Sequence, residues 1–526
     1  MDRQSALARL TGRTEPWDIA VIGGGATGVG IALDAAARGY SVCLFEQSDF
    51  GKATSSRSTK LVHGGVRYLQ KGNISLVMEA LKERGILRQN APHLVHDLAF
   101  VVPNYVWWEA PFYGIGMKVY DALAGRYGFG RSRLLSKDEV LQHIPTLETQ
   151  GLRGGVLYYD GQFDDSRLLI NLAQTADEQG AVLLNYAPVV RIEHDADGFI
   201  NALVWTDAES PGIEHTVRAR SVINATGAFV DRVRRIDNPN AAPMISPSQG
   251  AHIVLDRSFL PGDAAIMVPR TSDGRVMFAI PWHGHTLVGT TDTPVDEAPL
   301  EPVAFEQEID FILETAAHYL ARPPRREDTR SAFAGIRPLV KSSGGSTAVL
   351  SREHAIHVEN SGLISIAGGK WTTYRKMAED CVDHAAMLAK LDERPSVTKT
   401  LPIHGCHPQA AQFGDLHGYG TDAPAIRELM ASDPRMARPL HATFPICAAQ
   451  VAWAVRHEMA RTLDDVLARR TRVLFLDVAA ALAMAPDVAA IMAAELGRDV
   501  AWQTDQLQTF RSIARGYQVH PPLTKE

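Results

Sequence analysis

The N-terminal region shows an apolar run, a glycine-dense turn, an apolar stripe at helical spacing and a second apolar run. Residues 19–22 are all apolar, which is typical of a strand buried on both faces of a parallel sheet. Residues 29–37 repeat apolar positions every three or four places, and Gly39 stands where a glycine ends a helix. Residues 40–46 predict another strand. Together these segments predict a β-α-β unit.

The turn inside this unit has the spacing G-x-G-x-x-G. Gly23 permits the tight turn, Gly25 lets a pyrophosphate approach the backbone, and Gly28 lets the helix lie close to the strand. The helix N-terminus presents unpaired N–H groups to the phosphates. Glu46 ends the second strand, where a carboxylate accepts hydrogen bonds from a ribose diol. The unit predicts a dinucleotide site, which suits FAD and NAD alike.

Two later strand-turn units bear on the choice between these cofactors. Residues 219–229 are a strand-like run that contains Ala-Thr-Gly at 225–227, and it resembles the second contact that two-dinucleotide-fold flavoproteins make with FAD. Residues 362–384 predict a strand, a Gly-Gly turn and a helix from Lys370 onward, without the G-x-G-x-x-G spacing. No independent NAD domain is evident in the sequence, and the resemblance to flavoproteins implies that the dinucleotide is FAD.

The remaining patterns predict the domain organisation. Between 186 and 333, short strand-like runs alternate with Gly, Pro and Asp turns, which predicts an antiparallel substrate-binding sheet. Apolar residues at helical spacing from 451 to 467, followed by an alanine-rich run, predict a C-terminal helical domain. We expect an N-terminal extension at 1–16, an oxidoreductase core at 17–390, a linker at 391–410 and the helical domain at 411–526.

Several segments, in this order, resemble the FAD-dependent glycerol-3-phosphate dehydrogenases. They are DIAVIGGGATGVGIALDAAARG, ATSSRSTKLVHGGVRYL, VINATGAF, GAHIVL, IPWHGHTLVGTTDT, AGIRPLV and IAGGKWTTYRKMAED. HGGVRYL and GGKWTTYRK are the most specific of them, whereas very many flavoproteins share G-x-G-x-x-G. The resemblance covers residues 17 to 390, and residues 449–477 resemble that family's C-terminal helical domain.

The resemblance implies a mixed α/β fold, with a Rossmann-like two-dinucleotide-fold FAD domain, an antiparallel-sheet substrate domain and a C-terminal all-helical domain. It places the FAD-binding parts at about 17–90, 150–235 and 335–390, and the substrate-binding sheet at about 91–149 and 236–334. It also implies that sn-glycerol 3-phosphate is oxidised to dihydroxyacetone phosphate by hydride transfer to the flavin N5, and that membrane quinone accepts the electrons.

Three alternatives to this function remain open. An oxidase of the same family would pass the electrons to oxygen, although those oxidases carry an extra insertion for which this length leaves no room. A flavin-binding sensor or assembly protein would keep the fold without turnover. An amine-oxidising enzyme of the same fold would need a carboxylate clamp and would respond to amino acids.

The candidate cofactor residues come from the three turns and from the polar stretch that begins at residue 53. Hydroxyls and backbone N–H groups of that stretch suit cofactor oxygens, and no Ser-His-Asp order or G-x-S-x-G elbow indicates acyl transfer. The predicted FAD-binding residues are Gly23, Gly25, Gly28, Glu46, Thr54, Ser55, Ser58, Thr59, Lys60, His63, Gly64, Gly65, Ala225, Gly227, Gly368, Gly369, Thr372 and Thr373.

The substrate needs cations for its phosphate and a proton acceptor near C2. Arginine binds phosphate oxygens through a planar fork, and lysine acts as a compact charge. The predicted substrate-binding residues are Arg67, Tyr68, His252, Arg337, Arg352 and Lys370. For the proton acceptor, His63, His252 and Lys370 remain alternatives, because imidazole titrates near the working pH and a lysine among cations can lose its proton.

Composition narrows the possible partners and location. A net charge of -7 and a pI near 6.3 argue against a nucleic-acid binder. The four cysteines are widely spaced, so we expect neither a disulfide framework nor a metal site. The N-terminus lacks the apolar core of a secretion signal, and we expect a cytoplasmic protein that is peripherally associated with the inner face of the membrane. The sequence is compatible with a homodimer.

Two stretches have alternative interpretations. Residues 105–123 are dense in aromatics, which favours core packing, although the segment could present an apolar face to a bilayer. LARRTR, at 467–472, suits a solvated basic surface better than a contact with anionic lipid. No segment has the uninterrupted apolar length of a membrane-spanning helix, so we expect any membrane contact to be peripheral.

Overall fold

A computed structural model of the protein describes residues 1–65, 73–269, 271–341 and 354–519. Its α-helices in these ranges are α1 (Arg3–Gly12), α2 (Ala26–Ala37), α3 (Ile74–Asn90), α4 (Glu109–Ala124), α5 (Lys137–His143), α6 (Asp165–Glu178), α7 (Val230–Asp237), α8 (Glu306–Ala317), α9 (Tyr374–Leu388), α10 (Ala423–Ser432), α11 (Ala448–His457), α12 (Val473–Leu476), α13 (Val478–Leu496) and α14 (Val500–Arg515).

The strands in the same ranges are β1 (Trp17–Ile22), β2 (Val42–Phe45), β3 (Leu61–Val62), β4 (Val95–Asn104), β5 (Arg133–Ser136), β6 (Gly154–Phe163), β7 (Val182–Leu184), β8 (Val189–His194), β9 (Ile200–Thr206), β10 (Glu214–Asn224), β11 (Ile245–Asp256), β12 (Ala264–Val268), β13 (Met277–Trp282), β14 (His285–Gly289), β15 (Thr293–Pro294), β16 (Thr329–Val340), β17 (His354–Val358) and β18 (Ile364–Gly368).

The first sheet is built around the predicted β-α-β unit. Its order is β17-β18-β10-β1-β2-β7, and β1 runs parallel to both β10 and β2, with Ile19 opposite Ser221 on one side and Val42 on the other. Strands β8 and β9 extend it antiparallel from β10. Helix α2 packs against α6 and α9. The central strands β1 and β2 are buried on both faces, as the apolar run at 19–22 predicts.

Two glycines give this unit its shape. Gly23 follows β1 with a φ of 112°, and Gly39 follows α2 with a φ of 80°, where its N–H donates to the Ala36 carbonyl over 2.8 Å. Both angles lie in the region that favours glycine. Helix α2 therefore begins directly at the strand end and stops where the sequence predicts.

The second sheet is mostly antiparallel. Its order is β15-β11-β14-β13-β12-β4-β6-β3, with β16 paired to β11, β5 paired to β6, and β12 parallel to β4. Strands β3 and β6 and the end of β16 belong to it, although the sequence-based limits placed their residues among the FAD-binding parts. Those limits stay a prediction. The chain passes between the two sheets more often than the hydrophobic pattern indicates.

The C-terminal helices pack on the second sheet. The Ser331 hydroxyl of β16 donates to the Leu474 carbonyl over 2.9 Å, and the N–H of Ala332 donates to the Tyr517 carbonyl over 2.9 Å. The apolar stripe from 451 to 467 does not form one helix, because α11 ends at His457 and the chain turns at Met459, whose φ is 55°. A π-helical segment then covers Asp465–Arg470.

Helix α13 is the one helix of the described ranges whose length and composition also suit a membrane span. It has 19 residues and a mean hydropathy of 1.6, and half of it is buried inside the structure. Met484, Val488 and Met492 are buried in the core that the C-terminal helices share with the second sheet. A long buried helix passes the same test of length and composition, and we assign α13 to that core.

A buried ion pair joins α3 to α9. The Arg375 guanidinium donates from Nε and Nη2 to both oxygens of Glu83, over 2.7 and 2.8 Å. Both side chains are almost completely buried. Such a pair contributes little when intact, but either charge left alone is costly.

We predict that Arg375→Met lowers the free energy of unfolding by about 3 kcal/mol, because it strands the buried Glu83 carboxylate. Urea titration followed by circular dichroism measures this change. Arg133→Met, which breaks the exposed pair with Glu139, is the control and should leave the urea midpoint unchanged. Equal midpoints for both variants would contradict the prediction.

Candidate active site

A cavity of about 510 Å³ lies where the three predicted turns meet. The carboxyl ends of the parallel strands β1, β10 and β18 point to the same edge of the first sheet, so their turns share one wall. The stretch after β2 and the strands β11 and β16 of the second sheet contribute further parts of the lining. The fold thus brings segments near residues 25, 225 and 370 into one site.

The glycine turn shows which glycines the chain itself requires. A Cβ on Gly28 would lie 1.9 Å from the Gly23 carbonyl oxygen, and one on Gly23 would lie 2.7 Å from the Ala225 carbonyl oxygen. Among the described residues, a Cβ on Gly25 would meet only Ser55 Oγ, at 3.1 Å. Packing therefore requires Gly23 and Gly28, whereas Gly25 borders space that a close-lying pyrophosphate would fill.

Glu46 lines the cavity and also closes the turn. One oxygen accepts the Gly24 N–H over 2.7 Å and the other accepts the Ser48 N–H over 2.8 Å. Burial raises the pKa of this carboxyl, and the two N–H donors oppose the effect. Each carboxylate oxygen keeps acceptor capacity, so Glu46 fits a ribose diol as the sequence predicts.

The polar stretch after β2 is held in place by its own hydroxyls. Ser55 Oγ accepts the Ala26 N–H at the start of α2 over 2.9 Å, and Thr54 Oγ1 donates to the Ile336 carbonyl over 2.6 Å. The Trp371 indole donates to the Ser55 carbonyl over 2.8 Å. These residues join the two sheets while they line the cavity.

The predicted cofactor residues divide into two groups. Those that line the cavity are Gly23, Gly25, Glu46, Thr54, Ser55, Ser58, Thr59, His63, Ala225, Gly227, Gly368, Gly369 and Thr372. Those that do not line it are Gly28, Lys60, Gly64, Gly65 and Thr373. The Lys60 side chain is completely buried on Asp165, and the Gly64 N–H donates to the Tyr120 hydroxyl over 2.9 Å.

Four of the predicted substrate and catalytic residues line the same cavity: His63, His252, Arg337 and Lys370. Arg67, Tyr68 and Arg352 lie outside the described residues. Lys370 precedes the short turn Trp371–Thr373 that leads into α9. The His63 N–H donates to Thr372 Oγ1 over 3.2 Å, which ties the second half of the polar stretch to that turn.

Arg337 is oriented by neighbours on the second sheet. Its guanidinium donates to Asp292 over 3.2 Å and to the Thr290 hydroxyl over 3.0 Å. A Cβ on Gly250, in the neighbouring strand β11, would lie 2.3 Å from the guanidinium, so the glycine makes room for it. Asp292 is not among the predicted site residues, because its contact with Arg337 depends on the pairing of β15 and β16 with β11.

His252 is 2% exposed and stacks on Phe333, with ring centres 5.0 Å apart and planes 15° apart. Its Nε2 lies 2.9 Å from the Thr59 hydroxyl, and its Nδ1 has no hydrogen-bond partner among the described residues. Burial, followed by the charges of Lys60 and Arg337, lowers the pKa of this imidazole well below its ordinary value. His252 is therefore neutral at neutral pH.

Comparisons with known proteins agree with this geometry. Residues 18–375 match the family described as FAD dependent oxidoreductase, and residues 364–503 match the family described as the C-terminal domain of alpha-glycerophosphate oxidase. The first match covers most of the chain, and with the glycine turn it defines the class as an FAD-dependent oxidoreductase. The predicted cofactor is confirmed, and the cavity residues above are those that would hold it.

Three relatives define the family more closely. The chain is 40% identical to the mitochondrial glycerol-3-phosphate dehydrogenase of Homo sapiens, over 97% of this chain and 75% of that protein. It is 40% identical to that of Arabidopsis thaliana, over 96% of this chain and 87% of that protein. The structure of the Bacillus halodurans glycerol-3-phosphate dehydrogenase complexed with FAD superposes with a TM-score of 0.81 and 30% sequence identity. The match covers 100% of this chain and 99% of the Bacillus halodurans chain. The chain belongs to the FAD-dependent glycerol-3-phosphate dehydrogenase family.

We predict that Gly25→Val yields folded, colourless protein, because the added side chain would fill space that the chain leaves to the pyrophosphate. The ratio of flavin to protein absorbance after purification measures FAD retention. Gly12→Val is the control, since a Cβ there meets no atom of the described part of the chain within 4 Å, and this variant should stay yellow. A yellow Gly25→Val protein would contradict the assignment.

Proposed function

We propose that this enzyme oxidises sn-glycerol 3-phosphate to dihydroxyacetone phosphate and that membrane quinone accepts the electrons. The single observation that carries the proposal is the cavity itself, which places a dinucleotide-binding turn beside two cations and a neutral histidine. Bound FAD supplies the acceptor for the hydride that leaves C2. The chain must then bind the phosphate, orient the C2 hydroxyl and take its proton.

Arg337 and Lys370 are the described candidates for phosphate binding. Arg337 combines a planar fork with a fixed orientation, because Asp292 and Thr290 hold two of its donors. Lys370 reaches the same cavity from the other sheet. Arg67 and Arg352, which the sequence assigns to the same role, would add positive charge for a phosphate dianion.

His252 is our candidate for the proton acceptor, at Nδ1, because Nε2 is engaged with the Thr59 hydroxyl and Nδ1 has no hydrogen-bond partner among the described residues. An acceptor must be unprotonated at the working pH and within reach of the hydroxyl, and the lowered pKa of His252 together with its position on the cavity wall meets both conditions. The Thr59 hydroxyl at 2.9 Å fixes the ring. His63 and Lys370 line the same cavity and remain the alternatives.

Helix α4 supports a membrane location for the quinone. Its aromatic sequence has two faces: Tyr113, Met117 and Tyr120 are buried against the second sheet, whereas Ile115 is 68% exposed. Trp107, just before the helix, is 73% exposed. Core packing therefore describes the inner face of this helix, whereas its outer face is apolar and exposed. The outer face suits the interface of a bilayer.

A second cavity, of about 470 Å³, lies between α4 and β5. Apolar side chains such as Leu123 and Leu134 line it, together with the cations Lys118 and Arg133. This combination suits an apolar tail beneath an anionic surface. We therefore propose that α4 docks on the inner face of the cytoplasmic membrane and that the quinone reaches the enzyme there.

We predict that sn-glycerol 3-phosphate bleaches the flavin band at about 450 nm under anaerobic conditions, and that a soluble quinone restores this band. Glycerol without phosphate is the control ligand and should leave the spectrum unchanged at equal concentration. Arg337→Ala should need about 30-fold more substrate, since losing a charge-assisted phosphate contact costs about 2 kcal/mol. A spectrum that the substrate leaves unchanged would favour a flavin protein without turnover.

The oxidase alternative has its own outcome in the same assay. With oxygen and quinone both present, a dehydrogenase reduces the quinone and forms little peroxide. One peroxide per substrate oxidised would identify an oxidase and contradict the quinone proposal.

We predict that replacing Trp107, Phe112 and Ile115 together by glutamine weakens binding to vesicles that contain phosphatidylglycerol by at least about tenfold, because insertion buries these side chains. Co-sedimentation measures the binding. Val500→Gln, which changes another exposed apolar residue at the start of α14, is the control. Unchanged binding of the triple variant would exclude this face as the membrane contact.

A further inference from the structure

Three charged side chains are buried together where the polar stretch after β2 meets the C-terminal helices. Lys60 Nζ lies 2.7 Å from one oxygen of Asp165, and Arg472 Nη2 lies 3.0 Å from the other. All three are nearly inaccessible to solvent. The sequence interpretation of LARRTR as a solvated or lipid-facing surface is wrong, because Arg469 and Arg470 are also buried in ion pairs, with partners that include Asp49.

The two cations of this cluster hold the same point of the backbone. Lys60 Nζ and Arg472 Nη2 both donate to the Ser56 carbonyl, over 2.8 and 3.0 Å. The N–H and hydroxyl of Ser58 donate to Asp165, over 3.1 and 2.7 Å. Residues 56–60 are therefore held by α6, which begins at Asp165, and by the C-terminal domain, which contributes Arg472.

The held segment ends at the proposed proton acceptor. Thr59, between two anchored residues, has its hydroxyl 2.9 Å from His252 Nε2. Lys60 Nζ lies 5.2 Å from the centre of the Phe333 ring, on which His252 stacks. A shift of the 56–60 segment would thus move the only described hydrogen-bond partner of the His252 ring.

We infer that Arg472 is a positioning residue: together with Lys60 and Asp165 it fixes residues 56–60, so that the C-terminal domain holds Thr59 against His252. The inference rests on the proposed function of His252. It gives the C-terminal domain a part in catalysis although none of its residues lines the cavity among those described. Removing Arg472 should leave phosphate binding intact and slow the step that needs His252.

The charges around His252 agree with this arrangement. Burial lowers the pKa of Lys60 to about 7, against the opposing effect of Asp165, and the nearby Arg472 charge lowers it further. Two charged groups act on His252: Lys60 of the 56–60 segment and Arg337 of β16. Lys60 is paired with Asp165, and Arg337 is paired with Asp292. Both cations favour the neutral imidazole.

A double-mutant cycle tests the inference through the rate of flavin reduction at saturating substrate. Arg472→Gln and Thr59→Val should each slow reduction by about tenfold, and the double variant should be no slower than Thr59→Val. Thr59→Ser, which keeps the hydroxyl, should restore most of the rate. Fully additive effects would overturn the inference, as would an Arg472→Gln defect confined to KM.

Hydrogen exchange of the holoenzyme gives a second readout that does not depend on activity. The amides of residues 54–62 should exchange faster in Arg472→Gln than in the wild type. Arg461→Gln, which breaks another contact of the C-terminal domain, with Glu209, is the control and should leave this peptide unchanged. Wild-type exchange in Arg472→Gln would overturn the inference, even if the proposed substrate proved wrong.

The pH dependence separates positioning from general damage. Lys60→Met removes a positive charge near His252, so the pKa of that imidazole rises and the acid limb of the rate profile should move to higher pH. An unmoved limb would count against the cluster. If Lys60→Met does not retain FAD, Lys60→Arg replaces it as the test, because this variant keeps the positive charge. The acid limb of its rate profile should lie at the wild-type pH, and a shifted acid limb would count against the cluster. Failure of the wild type to bleach with substrate would instead reject the proposed function.

Discussion

The close contact between Gly28 of α2 and the Gly23 carbonyl is the constraint on which the site depends. With 1.9 Å between that oxygen and a hypothetical Cβ, the helix can approach the strand only because position 28 has no side chain. This approach aims the N-terminus of α2 into the cavity and sets Ser55 against the Ala26 N–H. The other turns then meet at the same edge because β10 and β18 run parallel to β1 and to each other.

Local chemistry explains why much of this was predictable from the sequence. Glycines with a required spacing, an acid at a strand end and an apolar run of strand length are set by neighbours close in the chain. The β-α-β unit and the position of Glu46 on the cavity wall follow from such signals. The choice of FAD, which the family match supports, also needed the later turns and the motif resemblance. The motif resemblance added the substrate residues, of which Arg337 and His252 lie together in the cavity.

Contacts between distant segments explain what the sequence did not predict. Three arginines near residue 470 look solvated in isolation, and only the fold brings Asp49 and Asp165, more than 300 residues earlier, beside them. A turn at Met459 interrupts the helical stripe, and the arginines that follow it are buried. Asp292 meets Arg337 only through the pairing of strands in the second sheet. Periodicity and local motifs contain no information on these partners.

The two-faced helix α4 has a consequence for how the enzyme meets its reactants. Tyr120 on the inner face binds Asp160 and the N–H of Gly64, a residue of the stretch that continues from the cavity wall, whereas the outer face is apolar and exposed. With this outer face in a bilayer, one reactant arrives by diffusion in three dimensions and the other by diffusion in two. Turnover would then scale with the surface density of the acceptor in the lipid rather than with its amount per volume of cell.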